Sequence, residues 1–173
     1  MSNYAVDILR AALKQCHQVL EGTMADVSNE ALHWQPPGTA NSIGANYAHI
    51  VTGEDFLVNA MARKGPPMLA SSWAGKTGLS ELPPVGGGMH EWGQRVQIDL
   101  EALRAYAQAV YTNTDAYLAS LSDADLGNVV DSPQFGNPAI GNFMGSIVLA
   151  NLNWHTGEIA ALKGVQGLKG YPF

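Results

Sequence analysis

The sequence has little cysteine and little charge, and both shortages narrow the classes of protein to which it can belong. Cys16 is the only cysteine in 173 residues, so no disulfide can form within the chain. It lies in an apolar stripe and is predicted to be a small buried side chain rather than a nucleophile. Charged residues make up 14% of the chain and hydrophobic residues 46%, a balance that supports a packed core and excludes a disordered chain.

Basic residues are especially scarce. Nine Lys and Arg are scattered along the chain against fifteen Asp and Glu, which gives a net charge of −6. Nucleic acids and anionic membranes both attract clustered Lys and Arg, so neither is predicted as a partner. The N-terminus has no basic segment followed by an apolar one, and no apolar run approaches the ~20 residues that span a bilayer. We therefore expect a cytoplasmic protein.

Four segments have the spacing of apolar residues that is typical of amphipathic helices. They run from about residue 4 to 25, 41 to 63, 96 to 121 and 137 to 165. Asn41-Ser42 precedes the second helix, and Asn and Ser are good N-caps. The fourth helix begins at Asn137-Pro138 or shortly afterwards at Gly141-Asn142. Only residues 128–130 are a candidate for a short strand.

The connection between the second and third helices, residues 64–93, is unusually long and rich in proline and glycine. Loops longer than ~12–15 residues are uncommon in compact domains and often have a function. A crossover of this length also means that the second and third helices need not be neighbours. We predict a single all-α domain over residues 1–173, a four-helix bundle with a long crossover between helices two and three.

Two of the predicted helices carry a histidine at or beside their apolar stripe. His49 lies on the second helix, and His155 lies on the fourth, one turn after Asn151 and about one turn before Glu158. Inward polar groups are costly to bury unless they satisfy one another or bind a ligand. Two interpretations stay open: a hydrogen-bonded core cluster, or a metal site, since imidazole binds zinc, nickel and iron.

Other chemistries find less support in the sequence. A di-iron carboxylate bundle needs about four inward carboxylates, whereas only Glu54 and Glu158 lie near the core stripes. The chain has no His-Glu-x-x-His, Cys-x-x-Cys or Gly-x-Ser-x-Gly motif. His17 and His33 are predicted to be structural or solvated, and His90 to be a surface residue.

Three motifs, taken in order, resemble those of the DinB/YfiT-like superfamily. Residues 41–50, followed by Glu54, are similar to the segment that ends in the family's first metal-binding histidine, and residues 151–162 are similar to its last-helix motif. Residues 32–38 look like the loop after the family's first helix. The resemblance implies a four-helix bundle that holds a divalent metal with three histidines. Characterised members include transferases and isomerases that use small thiols such as bacillithiol or mycothiol.

The sequence departs from the family pattern at the second of these histidines. His49 and His155 match the first and third, but Asn151 stands at the second, and an amide oxygen is a weak ligand for nickel or zinc. Glu158 replaces the family's usual Gln and would serve as a hydrogen-bond partner of His155, as a ligand together with Glu54, or as a general base. The resemblance thus implies a degenerate site for zinc, nickel or iron at His49, Asn151 and His155.

Two functions are compatible with such a site. One is a metal-dependent transferase or hydrolase that acts on small thiols or their conjugates, with Glu158 as the candidate catalytic residue. The other is a non-catalytic bundle that binds a small molecule or a protein and has lost the metal. Because members of the family often form dimers through bundle faces, the resemblance also implies a homodimer.

Overall fold

The computed structural model describes residues 3–84 and 86–173, and this part of the chain is helical without any strand. The seven α-helices are α1 (Tyr4–Met24), α2 (Asn29–His33), α3 (Ile43–Asp55), α4 (Met89–Gly93), α5 (Leu100–Ala119), α6 (Ile140–Phe143) and α7 (Leu149–Val165). Two π-helical stretches adjoin them: Phe56–Ala62 extends α3, and Met144–Val148 joins α6 to α7. Within the described ranges, no helix is both long enough and apolar enough to cross a membrane.

The helical bundle predicted from the sequence is confirmed, with one clear shift in a helix boundary. The third long helix begins at Leu100 rather than at Val96, because the Asp99 carboxylate caps it by accepting hydrogen bonds from the backbone N–H groups of Glu101 and Ala102, both at 3.1 Å. Val96 is nevertheless buried. Its side chain joins the core from the turn before the helix. Because Val96 is apolar and four residues before Leu100, the apolar spacing in the sequence made the helix seem to begin there.

Two short segments also differ from expectation. The Ser28 hydroxyl accepts a hydrogen bond from the N–H of Ala31 and so caps α2, a one-turn helix inside what was predicted to be a loop. Residues 128–130, the candidate strand, make only an isolated antiparallel bridge between Val129 and Ala139. A single bridge is not a sheet, so the described residues contain helices and turns alone.

The four long helices form a ring in which α1 and α3 each pack against both α5 and α7. The long crossover does not separate α3 from α5, so the expectation that the second and third long helices need not be neighbours was not realised. Instead, α1 and α3 face each other diagonally across the core. Side chains on these two helices therefore meet in the middle of the bundle.

Buried polar pairs join the diagonal helices. The Glu21 carboxylate of α1 accepts hydrogen bonds from the hydroxyls of Tyr47 and Tyr111, each at 2.8 Å. Four residues earlier on α1, the His17 Nε2 atom lies 2.8 Å from Glu54, whose side chain is 2% exposed. Burial raises the pKa of both tyrosines, so they stay neutral donors to Glu21. Such pairs fix which residues face one another.

The Asp55 carboxylate, at the C-terminal end of α3, attaches the crossover to the bundle. It is fully buried and accepts hydrogen bonds from the backbone N–H groups of Met68 and Leu69, both at 2.9 Å. It also accepts from the Asn59 amide at 2.7 Å and from the Tyr106 hydroxyl of α5 at 2.5 Å. One side chain thus joins α3, its π-helical extension, the crossover and α5.

Replacing Asp55 with Ala should destabilise the protein by about 3 kcal/mol or more, because four buried donors would lose their acceptor. Tyr106→Phe removes only one of these hydrogen bonds and should cost about 1 kcal/mol. Urea unfolding followed by circular dichroism measures both. Equal losses in the two variants would show that Asp55 has no larger role than its bond to Tyr106.

Candidate functional site

The structure brings His49 of α3 and His155 of α7 together. Their ring centroids are 4.7 Å apart, and the two ring planes are nearly perpendicular, at 88°. Each side chain is half-buried, on the sides of α3 and α7 that pack against each other. Two histidines more than a hundred residues apart in the sequence therefore form one imidazole pair.

Glu158 is hydrogen-bonded to this pair through His155. The Nδ1 atom of His155 lies 2.7 Å from the Glu158 carboxylate, and because a carboxylate only accepts, Nδ1 carries the proton. In the neutral form of the ring, the Nε2 atom of His155 then keeps its lone pair. The Glu158 side chain is 54% exposed, so its predicted place on an inward face was wrong; it reaches His155 from the solvent side.

His49 is held in its neutral form. Burial lowers the pKa of His49 below its ordinary value, and the nearby His155 lowers it further. Glu158 and the Asn151 amide raise the pKa of His49, but by less than burial and His155 lower it. At neutral pH the His49 ring therefore has a free lone pair, which is the form that binds a metal or accepts a hydrogen bond.

Asn151 lies one turn before His155 on α7, and its amide lies beside the His49 ring. Its amide faces Gly53 of α3 closely enough that a Cβ atom at that glycine would lie 3.6 Å from Nδ2. A Cβ atom there would thus be in ordinary van der Waals contact with the amide, which places Asn151 against this face of α3. His49, Asn151, His155 and Glu158, all singled out from the sequence, are brought together.

The other candidates lie elsewhere. Glu54 pairs with His17 in the core and so is engaged away from the imidazole pair, rather than serving as a ligand together with Glu158. The His33 ring bonds the backbone of Asn29 and Ile98, a structural role. Cys16 is partly buried, and burial raises the pKa of its thiol, which fits an unreactive side chain. Across residues 3–84 and 86–173, no three His, Cys, Asp or Glu side chains gather as a metal cluster.

A cavity of about 780 Å³ opens beside His49 and Asn151. Both π-helical stretches line it, with Phe56 and Leu57 from the first and Ile147 from the second, and the crossover supplies a further wall that includes Leu69. Departures from α-helical geometry often occur at functional sites. Sequence reasoning identified the polar end of this cavity but not its walls; the long Pro- and Gly-rich crossover was the one signal that pointed to them.

Comparison with known proteins settles the family. A model of the DinB superfamily matches residues 12–159 of the chain. The chain belongs to the DinB superfamily. The matched range includes the imidazole pair, Asn151 and Glu158, so the resemblance carried by the sequence motifs is confirmed.

A solved structure also shares this DinB-type architecture. A conserved protein from Enterococcus faecalis superimposes with a TM-score of 0.79 at 19% identity, covering 93% of this chain and 96% of that one. At this identity the likeness shows the fold alone. No curated protein matches the chain.

In metal-free protein, we expect His49 to titrate with a pKa below the ordinary 6.5. Replacing His155 with Gln should raise that pKa but not restore it fully, because burial is the larger cause. Since the unfolded chain would bind the proton more readily, His49 should lower stability as pH falls below about 6.5. The pH dependence of the imidazole proton resonances measures this shift.

His90→Gln is the matched control, because it removes a histidine that instead contacts Gln94. It should leave the titration of His49 unchanged. An identical His49 midpoint in wild type and in His155→Gln would contradict the coupling between the two rings.

Proposed function

We propose that the cavity binds a small molecule and that His49 and His155 hold a divalent cation at its polar end, with Asn151 as a third, weaker ligand. The observation that carries this proposal is the imidazole pair itself, two rings 4.7 Å apart beside a cavity of about 780 Å³. The combination of a preformed, largely apolar cavity and a few convergent polar groups is typical of small-molecule sites.

The donor set fits a divalent cation of moderate affinity. Glu158 holds the proton on Nδ1 of His155 and leaves Nε2 free, which is the usual way in which a carboxylate orients a metal-binding histidine. The lowered pKa of His49 keeps its ring unprotonated. Asn151 offers an amide oxygen, which binds zinc or nickel less well than imidazole does. Two strong ligands and one weak one leave room for water or substrate.

When bound, the cation would supply Lewis-acid chemistry or activate a thiolate. Either kind of chemistry is what a transferase or hydrolase acting on small thiols or their conjugates would need. The chain's own residues orient and shield the reactants: Glu158 positions His155, and the apolar walls exclude water around the ligand. Because Glu158 is bonded to His155, we assign it this positioning role rather than that of a general base.

A second candidate is a metal-free binding protein. Its support is that the described residues gather no three His, Cys, Asp or Glu side chains into a cluster. His49 and Asn151 would then bind an organic ligand through hydrogen bonds, in the same cavity. The two candidates differ in one measurable property, the uptake of metal.

We expect the wild-type protein to bind zinc or nickel near one equivalent, and the double variant His49→Ala/His155→Ala to lose it. Asn151→His should bind the cation at least tenfold more tightly, because imidazole replaces an amide at the weak position. Isothermal titration and inductively coupled plasma mass spectrometry of untagged protein measure affinity and stoichiometry.

Asn153→His is the matched control, because it adds a histidine to the same helix at an exposed position beside Cys16. It should not tighten metal binding. Equal affinities in wild type and the double variant, or equal gains from Asn151→His and Asn153→His, would overturn the metal site and leave the metal-free candidate.

A further inference from the structure

We infer that the ligand of this cavity is an uncharged molecule with a largely apolar body and a single polar group directed at His49 and Asn151. The inference rests on the proposed function in that it takes the cavity as the ligand site. It narrows the small thiols and thiol conjugates of that proposal to those whose body carries no charge.

The absence of charge in the cavity wall is the first argument. Among the described residues that line the cavity, none is Lys, Arg, Asp or Glu. Away from the polar end at His49 and Asn151, a charged group on the ligand body would lose its hydration without gaining a counter-ion, and an unpaired charge is among the most costly groups to bury. The whole chain has 24 such charged residues, but none of them is among the described residues of this lining.

The polar groups of the cavity are few. His49 and Asn151 lie together, close enough for the Asn151 amide to hydrogen-bond the His49 ring. The Thr52 hydroxyl also faces this region, but it donates to the Ala48 carbonyl at 2.7 Å. The Gln134 amide and the Ser146 hydroxyl add two further polar groups to the lining. A polar group of the ligand therefore meets two converging side chains at His49 and Asn151, and most of the rest of the ligand surface meets hydrocarbon.

The mouth of the cavity is the third argument. Phe56, Leu82, Phe135 and Trp154 all line it, yet they are 42%, 48%, 42% and 67% exposed. Large apolar side chains that gather around one opening mark a binding site more often than do single exposed ones. Burial of these four by a ligand would remove apolar area from water, which favours an apolar partner.

The walls are also able to adapt to such a ligand. Met61 and Met89 contribute flexible, polarisable thioethers, one from the π-helical extension of α3 and one from α4. Methionine adjusts to apolar shapes without a specific geometry. The volume of about 780 Å³ falls within the ~300–1,000 Å³ typical of sites for drug-sized ligands.

The test uses two probes that share one aromatic frame. N-phenyl-1-naphthylamine is neutral, and 8-anilino-1-naphthalenesulfonate differs from it by an anionic sulfonate. We expect the neutral probe to bind with at least tenfold lower Kd in a fluorescence titration of the metal-free protein. Equal affinities, or tighter binding of the sulfonate, would overturn the inference.

Two pairs of variants locate the binding. Ile147→Trp fills the cavity and should weaken the neutral probe at least fivefold, whereas Ile8→Trp, at an exposed position on α1, should have no effect. Ser146→Arg places a cation in the lining and should improve binding of the sulfonate at least fivefold, whereas the uncharged Ser146→Gln should not. If Ile147→Trp and Ile8→Trp behave alike, the probe binds elsewhere and the inference fails.

Metal binding is measured separately on the same proteins, so the two proposals fail in different ways. Selective binding of the neutral probe without metal uptake would support the ligand class and reject the metal. Metal uptake combined with preference for the anionic probe would support the metal and reject the ligand class.

Discussion

The buried carboxylate of Asp55 is the interaction on which the arrangement of the site depends. It is the residue at which α3 changes to π-helical geometry, and its four hydrogen bonds hold the start of the crossover and the middle of α5 against that point. Because Leu69 belongs to the bonded segment and also lines the cavity, one wall of the cavity is positioned by this carboxylate. The neighbouring Glu54 points towards α1 rather than the crossover and pairs with His17.

The far parts of the bundle are held by a different kind of contact. The Lys163 ammonium of α7 is buried against the Thr23 carbonyl and the Asp26 carboxylate, and the Arg104 guanidinium of α5 bonds the Met24 carbonyl. Cations at a helix C-terminus satisfy its free carbonyls and its partial negative charge. These contacts set how α5 and α7 lie against the end of α1. The imidazole pair therefore lies on two helices that are each anchored near the C-terminal end, α3 by Asp55 and α7 by Lys163.

The sequence predicted best what is local. The Asn41-Ser42 cap, the helical periods and the end of α7 at Val165 depend on neighbours in the chain, and all were found close to where they were expected. The hydrogen bonds of Asp55 to residues 68, 69 and 106 have no local signature, so the wall of the cavity could not be predicted. Family resemblance, rather than spacing, indicated that His49 and His155 belong to one site, while the partner of Glu158 followed from a separation of three residues.

The π-helical stretches have a consequence for how such a site can change over time. A turn of π-helix holds one residue more than a turn of α-helix, and each residue of an α-helix is rotated by about 100° from the last. The stretch Met144–Val148 thus sets the direction in which every later side chain on α7 points. Deleting one residue there would turn Asn151 and His155 away from α3 without altering either of them. In this bundle, a change in chain length is as direct a route to losing or gaining the site as a change of ligand.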